Sequence, residues 1–265
     1  MKDFELTSPR GEVLTNCQGN KMYINTEDTI IAPVLLTSGV WEPFETELLQ
    51  KLLTKDMTVV NIGANIGYYT LIAANRVGPN GRVYAFEPEP KNYKLLVKNI
   101  KENGYKNVIP LQAAVTNKQG TLKLFLDKLN FGAFSLAEQN VREENGFVEV
   151  ETTSLDRFFE KYSKDFKVDI IQMDTQGSEG LILEGAQRII SNNKLKIIME
   201  FWPYGLKNMG TEALDLLGKI EDYGFGIGLI DENNKHISSL PSEKIVAMCI
   251  NSGNGRGFVN LLLEK

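Results

Sequence analysis

A single histidine and two cysteines occur among 265 residues, which removes most of the side chains that build zinc sites and nucleophile–imidazole pairs. Cys17 and Cys249 stand far apart without a CxxC partner. Neither a disulfide framework nor a zinc knuckle is expected, and a reducing, cytoplasmic setting is. No Lys/Arg-rich block occurs and the formal net charge is -5. The basic footprint of a protein that grips a phosphate backbone is lacking, so no nucleic-acid partner is expected. No apolar run approaches the length that spans a bilayer, and Met1-Lys2-Asp3-Phe4-Glu5-Leu6-Thr7 lacks the apolar core of a signal peptide. Neither a membrane span nor a secretory address is expected. Internal repeats, low-complexity tracts and proline-rich linkers are missing too, which argues against a second independent domain. The single histidine, His236, follows Asp231-Glu232-Asn233-Asn234-Lys235 in a polar stretch that reads as a turn, and it receives no catalytic role.

What remains is a chain with 42% hydrophobic residues, enough for one α/β core. From residue 57 onward, short β-branched runs alternate with segments of helical period, the pattern of βαβ units around a mostly parallel sheet. The expected strands are residues 58–62, 82–86, 107–111, 169–173, 195–199, 225–230 and 258–263. Tyr93, Leu96, Val97 and Ile100 give the helix after the second strand one apolar face, with Gly104 placed to end it. Ile182, Ala186, Ile189 and Ile190 predict one helix after Asp174, and Ala213, Leu217 and Ile220 another before Gly224. Residues 1–40 read as an N-terminal extension of short strands or loops. Residues 41–265 read as the main domain, entered through an amphipathic helix carrying Phe44, Leu48, Leu49, Leu52 and Leu53. Within it, residues 112–155 break the rhythm: 121–126 and 147–153 alternate as strands of an inserted hairpin, with 129–142 as a candidate lid.

In open α/β sheets ligands sit beyond the carboxyl ends of the strands. Here those ends are acids or amides: Asn61, Glu87, Asp174, Glu200 and Asp231. A rim of carboxylates suits a cationic or hydroxyl-rich ligand better than a phosphate. The first strand runs into Asn61-Ile62-Gly63-Ala64-Asn65-Ile66-Gly67, where glycines let the backbone turn and approach a ligand closely. Glu87 stands about 20 residues further on, the spacing at which a carboxylate accepts from the ribose hydroxyls of a nucleoside. A dinucleotide fingerprint would need a glycine at position 65, and Asn65 is there. S-adenosyl-L-methionine has no pyrophosphate, and its sulfonium is attracted to an acidic rim.

The runs Val59-Val60-Asn61-Ile62-Gly63-Ala64-Asn65-Ile66-Gly67-Tyr68-Tyr69-Thr70, Phe86-Glu87-Pro88 and Asp174-Thr175-Gln176-Gly177-Ser178-Glu179 resemble the FkbM family of methyltransferases. So do the flanking Gly39-Val40-Trp41-Glu42-Pro43 and Ser154-Leu155-Asp156-Arg157-Phe158. The resemblance implies a Rossmann-like class I methyltransferase fold, with a seven-stranded, mostly parallel sheet whose last strand is antiparallel. It also implies methyl transfer to a hydroxyl oxygen of a sugar, glycan, polyketide or other small molecule. By the same likeness Asn61, Gly63, Ala64, Asn65 and Gly67 would serve the methionine part of the cofactor. Glu87 and Pro88 would serve the ribose, Ala113 would flank the adenine, and Asp174 would lie near the reacting methyl. The family motif starts with aspartate, and Asn61 departs from it.

Asp174 is the expected catalytic contact to the acceptor, with Glu179 and Glu200 as further carboxylates that could orient or deprotonate a hydroxyl. No resident metal is assigned. Two alternatives remain open at this point: a protein of the same fold that binds the cofactor without catalysis, and a nicotinamide-dependent dehydrogenase. The acceptor's identity and the oligomeric state are not readable from the residues.

Overall fold

The computed structural model describes residues 11–160, 162, 166–192 and 194–265. The expectation about residues 1–7 lies outside the described residues. A hairpin of β1 (Glu12–Cys17) and β2 (Asn20–Asn25) leads to helices α1 (Ile31–Ser38) and α2 (Pro43–Leu52). The alternating segment follows as β3 (Thr58–Ile62), α3 (Tyr68–Val77), β4 (Arg82–Phe86), α4 (Pro90–Glu102) and β5 (Val108–Leu111). An insert of β6 (Ala114–Val115), β7 (Gly120–Asp127) and β8 (Glu144–Thr153) then forms its own small sheet. After α5 (Leu155–Phe159) come β9 (Ile170–Met173), α6 (Glu179–Glu184), α7 (Gln187–Asn192), β10 (Lys196–Phe201), α8 (Pro203–Asn208) and α9 (Ala213–Asp222). The chain closes with β11 (Gly226–Asp231), β12 (His236–Ser238), α10 (Ser242–Ile250) and β13 (Val259–Glu264).

The main sheet has the order β12-β11-β13-β10-β9-β3-β4-β5. Neighbours among β10, β9, β3, β4 and β5 pair in parallel, and β13 slots antiparallel between β10 and β11. This is the expected sheet with one correction: it has eight strands, because β12 adds an antiparallel edge to β11. His236 starts that edge strand, opposite Asp231, and is exposed.

Period-2 alternation sorts each central strand between two cores. Val60, Ile62, Tyr84, Phe86, Ile171, Met173, Ile197 and Met199 face one, and Val59, Val83, Ala85, Ile170 and Ile198 face the other. The second core also takes in Met22, Ile24 and Leu35, so the N-terminal hairpin and α1 pack into the same body as α2, α3 and α4. Helix α1 corrects the expectation of only strands or loops in that stretch. It starts because the Asp28 carboxylate accepts from the N–H groups of Ile30 (2.8 Å) and Ile31 (2.6 Å), which otherwise lack intrahelical partners.

The single helix expected after Asp174 is two. Gly185 separates α6 from α7 because an added Cβ there would lie 2.4 Å from the Thr116 carbonyl oxygen. Asp156 then restarts the chain as α7 by accepting from Arg188 N (2.8 Å) and Ile189 N (3.0 Å). Ile182, Ala186, Ile189 and Ile190 remain buried together across the break. Helix α4 follows its pattern closely: Glu89 caps it by accepting from Asn92 N (2.7 Å), Pro90 starts it, and Gly104 follows its end at φ 69°.

Strand order reverses between β3 and β9, the point where crossovers leave toward opposite faces and a crevice opens. Gly63 holds that junction. Its φ is 75°, and a Cβ built on it would sit 2.0 Å from the Asp174 carbonyl oxygen. Gly104 has similar backbone geometry, φ 69°, with nothing within 4 Å of a built Cβ. Gly104→Ala is therefore expected to cost only the left-handed backbone term, about 1–2 kcal/mol. Gly63→Ala adds a collision with backbone that cannot move alone, and should lower the melting temperature well beyond the Gly104→Ala control in parallel thermal unfolding.

Candidate active site

One cavity of about 520 Å³ runs along the carboxyl-end rim of the sheet. Its first end is built from the turn after β3 and the tip of β4. Gly63 and Ala64 both donate their N–H to the Phe86 carbonyl (3.0 and 2.9 Å), which folds the turn over the end of β4. Asn65 enters the left-handed region at φ 49°, and its N–H donates to Glu87 Oε2 (2.7 Å). Glu89 N–H donates to the other carboxylate oxygen (2.9 Å). Glu87 is buried, and burial pushes its carboxyl up to about 8 despite those two donors. Gly63, Ala64, Asn65, Glu87, Pro88 and Ala113 all line this end. Gly67 does not: at φ 100° it leads into α3, with a built Cβ 2.8 Å from Leu96.

Asn61 is also away from the cavity, which corrects its expected contact with the ligand. Alternation along β3 aims it into the sheet, where it is buried. Its Oδ1 accepts from Thr70 Oγ1 (2.5 Å) and its amide donates to Gln172 Oε1. Both polar ends are occupied by protein.

In the middle, at the switch point, carboxylates converge. Glu42, Asp174 and Glu200 line the cavity, with Glu45 buried behind them. Gln176, at φ 53°, donates its amide to Asp174 Oδ1 (2.6 Å) and Glu200 Oε1 (3.2 Å), bridging β9 to β10. Glu42, itself left-handed at φ 42°, accepts from the Tyr69 hydroxyl (2.8 Å) and the Asn260 amide (3.0 Å). Burial, then the neighbouring Glu42 charge, pushes Asp174 up to about 7. Burial, reinforced by Asp174, Glu179 and other neighbouring acids, holds Glu200 well above the usual carboxylate range. Glu45 is raised well above it as well, by burial and then Glu42, and its Oε2 meets no hydrogen-bond partner among the described residues. Among the described residues no group of three or more His, Cys, Asp or Glu side chains is arranged to hold a metal ion.

Glu179 is not part of this lining. It is fully buried beneath the turn, where Oε1 accepts from Thr175 N (3.0 Å) and Thr175 Oγ1 (2.9 Å). Its position corrects the expectation that it reaches an acceptor directly: the carboxylate shapes the loop after Asp174. The far end of the cavity carries Trp202, Arg256 and Phe258, and Arg142 from the 129–142 segment also lines the cavity. None of these, nor Tyr69 or the role of Glu42, was named from the residues alone. For Trp41-Glu42 the signal was present, an aromatic–acid pair just before a helix. Arg256 reaches the site only through long-range folding.

The remaining identification comes from known proteins. Residues 61–227 match the family described as Methyltransferase FkbM domain. The methyltransferase sdnD of Sordaria araneosa is 28% identical over 197 residues, covering 64% of this chain and 73% of its own. The crystal structure of methyltransferase FkbM from Methylobacillus flagellatus KT aligns over 80% of this chain and 44% of that one, with 16% identity and a TM-score of 0.48. This chain thus spans less than half of that protein's length. M. jannaschii TYW2, solved in complex with AdoMet, aligns over 98% of this chain and 87% of its own at 17% identity and a TM-score of 0.50, which shows a shared fold. The family match begins at Asn61, contains both strand ends that meet at the switch point, and covers well over half of the 265 residues: the chain belongs to the methyltransferase FkbM domain family.

Proposed function

We propose that the protein transfers a methyl group from S-adenosyl-L-methionine to a hydroxyl oxygen of a small molecule, sugar, glycan or polyketide. The carrying observation is the cluster of half-buried Glu42 and Asp174 with buried Glu200 at the switch point, with no cation paired to it among the described residues. Buried carboxylates held only by neutral donors favour a ligand that brings positive charge. A cationic sulfonium beside a nucleoside fits that demand. The cradle at Gly63, which a Cβ would fill, and the Glu87 carboxylate fit the rest of the same molecule. Membership of a methyltransferase family sets aside the dehydrogenase alternative.

In this reading Glu87 and the Asn65 turn hold the ribose, and residues 129–142 cover the crevice as a lid. The cofactor supplies an electrophilic methyl. Asp174 orients the acceptor hydroxyl and takes its proton; the methyl would leave sulfur for that oxygen, with the demethylated thioether as the leaving group. A carboxyl near 7 is well placed for this, because a base works best when its pKa lies close to the working pH. Gln176, fixed between Asp174 and Glu200, keeps the base in one orientation. Exclusion of water and alignment of the oxygen supply the rest.

Glu87→Gln is expected to weaken S-adenosylhomocysteine binding by roughly 10- to 100-fold, from charge-assisted hydrogen bonds of about 1.5–3 kcal/mol. Calorimetry across pH gives a second check. The protonated form of Glu87 persists to about 8 in the unliganded protein, so wild-type affinity should rise as pH climbs through that value, and the Gln variant should lack the rise. Linkage has the opposite sign for unliganded stability. A carboxyl raised in the folded state stabilises below its unfolded pKa, and that stability is lost as pH rises toward 8; Glu87→Gln should flatten this decline.

Asp174→Asn should still bind S-adenosylhomocysteine, which lacks the sulfonium charge, and lose about 10²–10⁴-fold in single-turnover transfer. The acceptor is whichever hydroxyl compound the unsubstituted protein methylates best in a panel of sugars and hydroxyacids. Near-normal transfer by the folded variant would remove Asp174 as the base and leave Glu200 and Glu42.

A further inference from the structure

We propose, resting on the methyl-transfer reading above, that the far end of the cavity is an acceptor subsite for an anionic group, a carboxylate or a phosphate, anchored by Arg256. The two ends of the cavity are far apart. Glu87 follows β4, whereas Arg256 precedes β13, and the order β4-β3-β9-β10-β13 puts four inter-strand steps between them, about 19 Å at ~4.8 Å per step. The switch-point acids lie between, so the Arg256 end is on the side away from the ribose.

Arg256 is held rather than free. Its N–H donates to the Gly253 carbonyl (3.1 Å), and its own carbonyl accepts from Trp202 Nε1 (3.0 Å). Nη2 donates to the Tyr204 hydroxyl (2.8 Å), and the guanidinium lies 4.3 Å from that ring's centroid. Such stacking pre-orients the planar fork of donors. A guanidinium has five N–H donors, and Tyr204 Oη is the one protein acceptor recorded for it among the described residues. No carboxylate comes within 4.0 Å of Arg256 or of Arg142 among the described residues, although acids line the same cavity. The Tyr204 hydroxyl also donates to the Gln139 carbonyl (3.3 Å), three residues before Arg142, so the segment carrying one arginine meets the support of the other.

An anchored, unneutralised guanidinium inside a cavity selects a ligand that brings the anion, and the fork suits carboxylate or phosphate oxygens. Trp202 and Phe258 beside it offer an apolar face. The acceptor class that follows is an acidic molecule with a ring or apolar face, whose hydroxyl reaches back toward Asp174.

Both tryptophans of the chain, Trp41 and Trp202, line the cavity, so their fluorescence reports its occupancy. The full chain loaded with S-adenosylhomocysteine is titrated with benzoate, phenyl phosphate and benzyl alcohol. At least one anion should bind about tenfold or more tightly than the alcohol, as expected for a charge-assisted contact, and the tighter of the two tells carboxylate from phosphate. Arg256→Leu should erase that preference, and Arg256→Lys should keep part of it, with circular dichroism confirming that both fold. Homocysteine-cofactor affinity by calorimetry should be unchanged in both. Equal binding of alcohol and anions, or a preference that survives Arg256→Leu, overturns the proposal. So does loss of S-adenosylhomocysteine binding in Arg256→Leu, which would give this arginine to the cofactor's own carboxylate. If the unsubstituted protein does not bind S-adenosylhomocysteine, the methyl-transfer reading falls, while the anion preference is still decided on the unloaded protein.

Discussion

The close approach of Gly63 to the Asp174 carbonyl sets the geometry of everything around it. Two parallel strands, β3 and β9, end side by side there, and their chains leave toward opposite faces of the sheet. A side chain at 63 would push the two ends apart. With none, the turn after β3 folds onto the end of β4 and presents Glu87, while the loop after β9 carries Asp174 and Gln176 into the same crevice. The Glu87 end of the crevice and the Asp174 end become neighbours because one Cβ is missing.

The acids around this crevice are of two physical kinds. Asp127 shares the cavity wall, and although burial opposes its charge, the N–H groups of Glu143, Leu129 and Asn130 (2.8–3.1 Å) outweigh that and hold its carboxyl below the usual range. It is a fixed charge that ties the ends of the 129–142 segment together. Asp174, Glu200 and Glu45 are shifted the other way, by burial and by one another. Like charges packed in a poorly solvated place cannot all ionise, so they retain protons until a cation or a proton acceptor arrives. Among the acids that line the cavity, Asp127 is thus committed to the 129–142 segment, while Asp174 and Glu200 remain available to a ligand.

Much of the fold was legible because its signals are local. Strand runs, the face of α4 and the stop at Gly104 are set by residues a few positions apart. The errors have equally physical causes. One helix became two at Gly185 because Thr116, remote in sequence, leaves no room there. β12 escaped notice because three residues beside a polar turn carry no period. Asn61 and Glu179 sit in the right sequence blocks but point into the protein, Asn61 by strand alternation and Glu179 by capping the Thr175 turn. Motif spacing identifies which loop reaches a site; it does not say which way each side chain faces.

The same distinction divides the two halves of the cavity. The end proposed for the nucleoside is drawn largely from residues 63–88, a contiguous stretch whose glycine turn and strand-end acid constrain one another. The rest of the cavity wall takes in Trp41 and Glu42 before the first crossover, Arg142 in the insert, Trp202 after β10, and Arg256 and Phe258 before β13. Four of those six, Trp41, Glu42, Arg256 and Phe258, fall outside the span 61–227 that matches the family. In the proposed reading, the framework that presents a methyl donor lies within the shared span, while much of the surface an acceptor would touch comes from segments flanking it. In that reading the entry to α2 and the loop before β13 are places where the acceptor surface can change without touching the contact between Gly63 and Asp174.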